Sequence, residues 1–223
     1  MATTATTASD GGVDIEVVLN TIEREREREI ISRRFGLYDR KETLEQIGEL
    51  LGITRERVRQ LEKVVLGKLK TAGTSKQLPG LEKVEQAILE ILSNNGQIMR
   101  ANELAGLLTK NGTKIDQSRI SFLAELAPSL SLIEESDHFY NSVGVRSTHD
   151  EKHIREQIGK IVEAVKTIGE PTPIEAVAKA IGEENVTHVA SLASCSKSLA
   201  HLNGRWGLIK WPMVNPKNIR DKI

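Results

Sequence analysis

The chain has 223 residues, only 3% of them aromatic and 28% charged, with a formal net charge of zero. This excludes a single large aromatic core and a protein that coats nucleic acid through overall charge, and leaves open a local basic patch. The single cysteine, Cys195, excludes an internal disulfide and a cysteine-based zinc site and reads as a small buried residue. No apolar run approaches the ~20 residues needed to span a bilayer, so no membrane partner is expected.

The opening residues MATTATTASD carry neither a basic start nor an apolar stretch. They read as a disordered leader over 1–12 of a cytoplasmic protein rather than a secretory signal. Residues 13–70 follow a strongly helical pattern, punctuated by Gly36 and Gly52. The alternating run from Glu23 to Glu29 supplies i,i+3 pairs of opposite charge, expected to form a solvated helix face.

Thr43 with Gln46 makes a capping-box pattern that starts a helix bearing Leu44, Ile47 and Leu51. Gly52 ends it, Ile53 is placed to plug the junction, and Thr54 can cap the next helix. A short helix, a tight turn and a second helix make a helix-turn-helix. On a 3.6-residue wheel Val58, Leu61, Val65 and Leu69 fall on one face, and Glu56, Gln60, Lys63 and Gly67 fall opposite. Residues 54–76 hold seven basic side chains against two acidic ones, so the neutral chain hides a local surplus of positive charge. Recognition helices present base-reading side chains from their first turns. Arg can bridge guanine O6 and N7, Gln can pair with adenine, and Glu can accept from cytosine N4. All three types occur between Arg55 and Gln60, so Thr54, Arg55, Glu56, Arg57, Arg59, Gln60 and Lys63 are the candidate DNA-binding residues.

A polar stretch, 71–80, ends at Pro79-Gly80 and reads as a linker. Beyond it the pattern nearly repeats. The first copy, 81–146, has a helix with Leu81, Val84, Ile88, Ile91 and Leu92, a turn at Asn94-Asn95-Gly96 and a helix with Leu104, Leu107 and Leu108. A third helix carries Ile120, Leu123 and Leu126, and a hairpin runs from Leu132-Ile133 to Phe139-Tyr140. The second copy, 150–211, has Ile154, Ile158, Ile161 and Val165 on its first helix, Val177 and Ile181 on the next, and Val189 and Leu192 on the third. Its hairpin closes across Asn203-Gly204, with Trp206 expected where Tyr140 stood. Three helices and a two-stranded hairpin, twice, describe two winged helices. The expected fold class is therefore mainly α, a helix-turn-helix domain followed by two winged-helix modules. Residues 212–223 read as the start of a third repeat or a tail, because Asn218 to Ile223 echoes His153 to Ile158; a fragment of a longer protein is the expectation. The third helix of the first copy, taken from Ile120 to Leu130, holds Glu125 and no basic residue, so protein binding is as open as DNA binding for these modules.

The five histidines, His138, His149, His153, His188 and His201, show no strong metal spacing and read as surface residues. No Ser/His/Asp, paired-carboxylate or phosphate-loop pattern is present, so no catalytic residue, cofactor or metal is expected. Nothing in the pattern fixes an oligomeric state.

Arg26-Glu-Arg-Glu-Ile-Ile-Ser-Arg-Arg-Phe-Gly36-Leu, Thr43-Leu-Glu-Gln-Ile-Gly48 and Ile53-Thr-Arg-Glu-Arg-Val-Arg-Gln-Leu-Glu62 together resemble region 4 of bacterial primary-type sigma factors. The resemblance implies that the second helix enters the major groove of the promoter −35 element. Arg55, Glu56 and Gln60 would then read bases, and Arg57 and Arg59 would contact phosphates or flanking bases. It implies RNA polymerase core as partner, with Arg33, Arg34 and Phe35 facing the flap of the β subunit. Nothing in the chain resembles the aromatic-rich region 2 that melts the −10 element. The later modules are similar, by pattern and order, to the HARE-HTH family, which includes the N-terminal domain of the polymerase delta subunit. Three functions remain open: a sigma-like promoter reader, a polymerase-binding adaptor without base readout, and the DNA-targeting arm of a larger DNA-modifying enzyme.

Overall fold

The computed structural model describes residues 15–146 and 150–216. The leader 1–12, His149 and the echo at 218–223 lie outside them. Among the described residues are ten helices and five short strands, a mostly helical chain. It divides into two compact units: residues up to Val84 together with Asn102–Leu126, and Glu85–Ala101 together with the residues from Ala127 onward.

In the first unit, α1 (Ile15–Leu19), α2 (Glu25–Phe35), α3 (Leu44–Leu51) and α4 (Arg55–Thr74) follow one another. The capping box forms as its residues dictate: the Gln46 amide donates to Thr43 Oγ1 at 3.2 Å and the Thr43 amide to Gln46 Oε1 at 2.9 Å. Gly52 closes α3 in the left-handed region at φ 64°, and Thr54 Oγ1 accepts from the Arg57 amide at 3.2 Å to open α4. Ile30, Ile47 and Val58 form the small core between α2, α3 and α4, with Leu44, Leu51, Ile53 and Leu61 packed against it. The apolar stripe of α4 is buried at Val58, Val65 and Leu69 and half-buried at Leu61.

α4 runs to Thr74, four residues into the stretch that reads as a linker. Packing explains the extension. α7 (Lys114–Leu126) lies in the same unit, and a Cβ on Gly73 would stand 2.5 Å from the Leu126 carbonyl oxygen. Only glycine allows that approach, so the residue that suggests a linker is a contact point. Phe122, fully buried, meets Phe35 with ring centroids 4.8 Å apart. Arg119 donates to the Leu37 carbonyl at 2.9 Å, and Lys70 pairs with Glu125. α7 begins at Lys114 rather than near Ile120, so it carries two basic residues, Lys114 and Arg119. α6 (Ala101–Leu108) precedes it.

The second unit holds most of α5 (Leu81–Asn94), β1 (Ile98–Arg100), β2 (Leu130–Ile133), β3 (Ser142–Val145), α8 (Glu151–Ile168), α9 (Ile174–Ile181), α10 (Val186–Ser194), β4 (Leu199–Leu202) and β5 (Arg205–Leu208). β1, β3 and β2 form an antiparallel sheet in that order, with Met99 opposite Val143 and Leu132 opposite Val143 across the other edge. The hairpin expected at Phe139-Tyr140 is thus displaced to Ser142–Val145. Phe139 instead bridges Ser196, and the Tyr140 amide donates to the Cys195 carbonyl at 2.9 Å. β4 and β5 pair across Asn203-Gly204, both at positive φ. Thr172 bridges Trp206 as β1 pairs β3, so the counterpart of Trp206 is Val143, not Tyr140. The order helix, short strand or bridge, two helices, two strands recurs in both stretches. Their core joins Ile98 and Ile133 to Ile154, Ile158, Ile161, Val165, Val189, Leu192 and Cys195.

His201 is exposed, as expected of a surface residue, whereas His188 is half-buried, and both rings have partners. The His188 ring nitrogen Nδ1 lies 2.7 Å from the Gly96 carbonyl, and His201 stacks on Trp206 at 4.8 Å. No helix among the described residues is long and apolar enough to cross a membrane.

Candidate nucleic-acid interface

The helix-turn-helix geometry sets which side chains α4 presents. Gly48 in α3 has no room for a side chain, since a Cβ there would lie 2.7 Å from the Ile53 carbonyl oxygen. The turn therefore folds back closely and delivers the N-terminus of α4 outward. Thr54, Arg55, Glu56, Arg57, Arg59, Gln60 and Lys63 are all exposed, and Val58 between them is fully buried. The first two turns of α4 thus carry every candidate residue except Thr54, which caps the helix, and Lys63, which opens the third turn.

These groups pair with one another. Arg59 forks onto Glu56, with Nη2 and Nε at 2.7 and 2.8 Å from its two carboxylate oxygens. Gln60 Nε2 approaches Glu56 Oε1 at 3.4 Å, and Arg57 Nη1 approaches Gln60 Oε1 at 3.4 Å. The Arg59 guanidinium, with smaller help from Gln60 and Arg55, holds the Glu56 carboxyl below the usual carboxylate range against a partial desolvation. Glu56 in turn raises Arg59. The face is a lattice of opposite charges and amides, chemically suited to mixed donor and acceptor patterns in a groove.

Two supporting residues escape a reading of α4 alone. Glu45, on the first turn of α3, meets Arg55 Nη1 at 2.9 Å. Arg26 of α2 donates to the Leu51 carbonyl at the end of α3, tying α2 to the turn. Arg28 likewise donates to the Ile22 carbonyl at 2.9 Å. The alternating run is therefore not simply a solvated face: two of its arginines, the exposed Arg26 and the half-buried Arg28, donate to backbone carbonyls, and Arg24–Glu27 is an i,i+3 pair within it. Beside α4, a cleft of about 630 Å³ is lined by Arg24, Arg57, Gln60, Val64 and Lys68 among others.

Arg33, Arg34 and Phe35 are engaged within the chain. Arg33 binds Glu29 at 2.9 Å and Glu42 at 2.8 Å, bonds that raise its pKa further. Arg34 meets Glu62 at 3.2 Å, and Phe35 packs on Phe122. Among the described residues no cluster of histidine, cysteine or carboxylate side chains could hold a metal ion.

A capped short helix, a glycine turn and a charged, outward second helix define a helix-turn-helix of the DNA-binding kind. Residues 24–71 match the family model "Sigma-70, region 4". The chain is similar to the RNA polymerase sigma factors SigA of Listeria monocytogenes, Listeria innocua and a Bacillus species, at 48% identity over 65 residues in each case. That overlap covers 29% of this chain and 17% of each relative's length. No solved structure matches the chain. The similarity supports a sigma-factor-like, DNA-binding role in transcription for the helix-turn-helix and points to no catalytic family.

Proposed function

We propose that this is a sequence-specific, cytoplasmic DNA-binding protein of transcription initiation that reads a −35-type promoter element with α4 and acts with RNA polymerase core. Arg55, Glu56 and Gln60 read base edges, Arg57 and Arg59 contact phosphates or flanking bases, and Thr54 and Lys63 complete the footprint. The observation that carries the reading is the first two turns of α4: Arg, Glu and Gln, all exposed, on a helix whose apolar face is buried below them. A negative charge at Glu56 repels phosphate, so its place at the centre of this face favours base readout over plain electrostatic attraction.

The stretches 81–146 and 150–211 are two winged helices, a reading supported by their recurring element order and by the matching pairing of β1 with β3 and of Thr172 with Trp206. They serve as docking modules for the polymerase, whose β flap is the sigma-like contact. A single helix-turn-helix buries only ~600–1,000 Å² on DNA. Promoter occupancy then gains from a tether through effective concentration.

The test is titration of the full chain onto a TTGACA duplex and onto a scrambled one across salt concentrations. Four to six phosphate contacts predict that log K falls with log salt at a slope of about −4 to −5, with tighter binding to the TTGACA duplex. Binding indifferent to salt removes DNA as the ligand, and equal binding to both duplexes favours the adaptor reading.

A further inference from the structure

We propose that Glu45 is a positioning residue that aims Arg55 at its base, an inference that rests on the reading of α4 as the recognition helix. Arg55 is the first residue of α4, where the positive end of the helix dipole disfavours a guanidinium. Left alone, this rotamer-rich side chain would swing away from the helix end into solvent. Glu45 sits in the first turn of α3, where a carboxylate is favoured, and reaches across the helix-turn-helix to Arg55 Nη1 at 2.9 Å. One edge of the guanidinium is thereby held, and the Nε–Nη2 edge is left to make a bidentate contact with guanine O6 and N7. The two side chains are 68% and 53% exposed, so the pair stands open to a groove. That exposure also means the pair adds little to stability by itself.

The pair gives a signature that a merely structural role would not. Glu45 places a negative charge beside DNA, so removing it strengthens binding to duplex in general. Removing it also frees Arg55, so discrimination falls, and only at the base pair that Arg55 reads. The experiment measures binding of the full chain and its Arg55→Ala, Glu45→Ala, Glu45→Gln and doubly substituted variants to the TTGACA duplex and its single-base-pair replacements. Arg55→Ala identifies the base pair. Glu45→Ala should relax discrimination at that pair by roughly twofold to fivefold, the scale of an exposed ion pair, with scrambled duplex bound as well or better. Glu45→Gln, which keeps an acceptor of the same length, should retain more discrimination than Glu45→Ala. In the Arg55→Ala background Glu45→Ala should change discrimination no further. Discrimination unchanged in Glu45→Ala, or lost evenly at all pairs with weaker binding to every duplex, overturns the positioning role while the reading of α4 stands. No loss at any base pair in Arg55→Ala overturns that reading itself.

Discussion

Glu56 and Arg59 share one fork of hydrogen bonds yet should fail in opposite ways. Glu56→Ala removes a charge that repels phosphate. It should relax discrimination at one base pair by about 1–3 kcal/mol and leave non-specific affinity equal or higher. Arg59→Ala should weaken binding to most sequences and flatten the salt slope. Even loss on all DNA in both variants, read by titration of matched and mismatched duplexes, contradicts base readout by Glu56. The fork also sets a pH dependence. Arg59 depresses the folded-state pKa of Glu56, so the carboxylate and its fork are fully present above the ordinary glutamate value of about 4.3 and are lost as pH falls through the lower folded value. Discrimination at the Glu56 base pair should therefore hold from neutral pH down to that ordinary value and collapse only below it. A midpoint near neutrality contradicts the assignment. At this scale the sequence exposed nearly all of the candidate face, because one helix period sorts it. Glu45 and Arg26 stayed hidden because their partners, Arg55 and the Leu51 carbonyl, are neighbours only after the chain has folded.

Elements were legible where the signal is local. The capping box of α3, the left-handed Gly52 and the Thr54 cap each depend on a few adjacent residues, and each is present. The β2–β3 hairpin misleads for the opposite reason. Phe139-Tyr140 carries the stronger β propensity, yet Ser142–Val145 forms the strand because β1 and β2 pair with it on either side. Gly48 is where the turn geometry can be tested. Gly48→Ala would press a methyl group onto the Ile53 carbonyl at 2.7 Å. Overpacking of this kind should cost about 1–3 kcal/mol in denaturant unfolding, with DNA binding weakened in proportion. Thr54→Ala, which removes only the cap, should cost about 0.5–2 kcal/mol. A Gly48→Ala variant as stable as the parent would contradict the close turn that aims α4.

The unit that contains α4 extends beyond residues 24–71, the stretch that matches sigma region 4. α7 supplies Phe122 against Phe35, Arg119 to the Leu37 carbonyl and Glu125 to Lys70. Nothing in a periodicity reading announces this, since the buried residues of α7, Ile120 to Ala124 and Leu126, lie on more than one face of the helix. Phe122→Ala should therefore destabilise the unit by about 3–5 kcal/mol, seen as loss of the helix-turn-helix amide protection in hydrogen exchange. Unchanged protection there would mean that α7 does not support α4. The exposed residues of α4 are proposed to read a particular DNA sequence. Selection of binding sequences from a random duplex pool by the full chain measures this. A single short consensus related to TTGACA is expected, degraded at one base pair by Glu56→Ala; recovery of no consensus at any salt concentration would rule out base reading by α4.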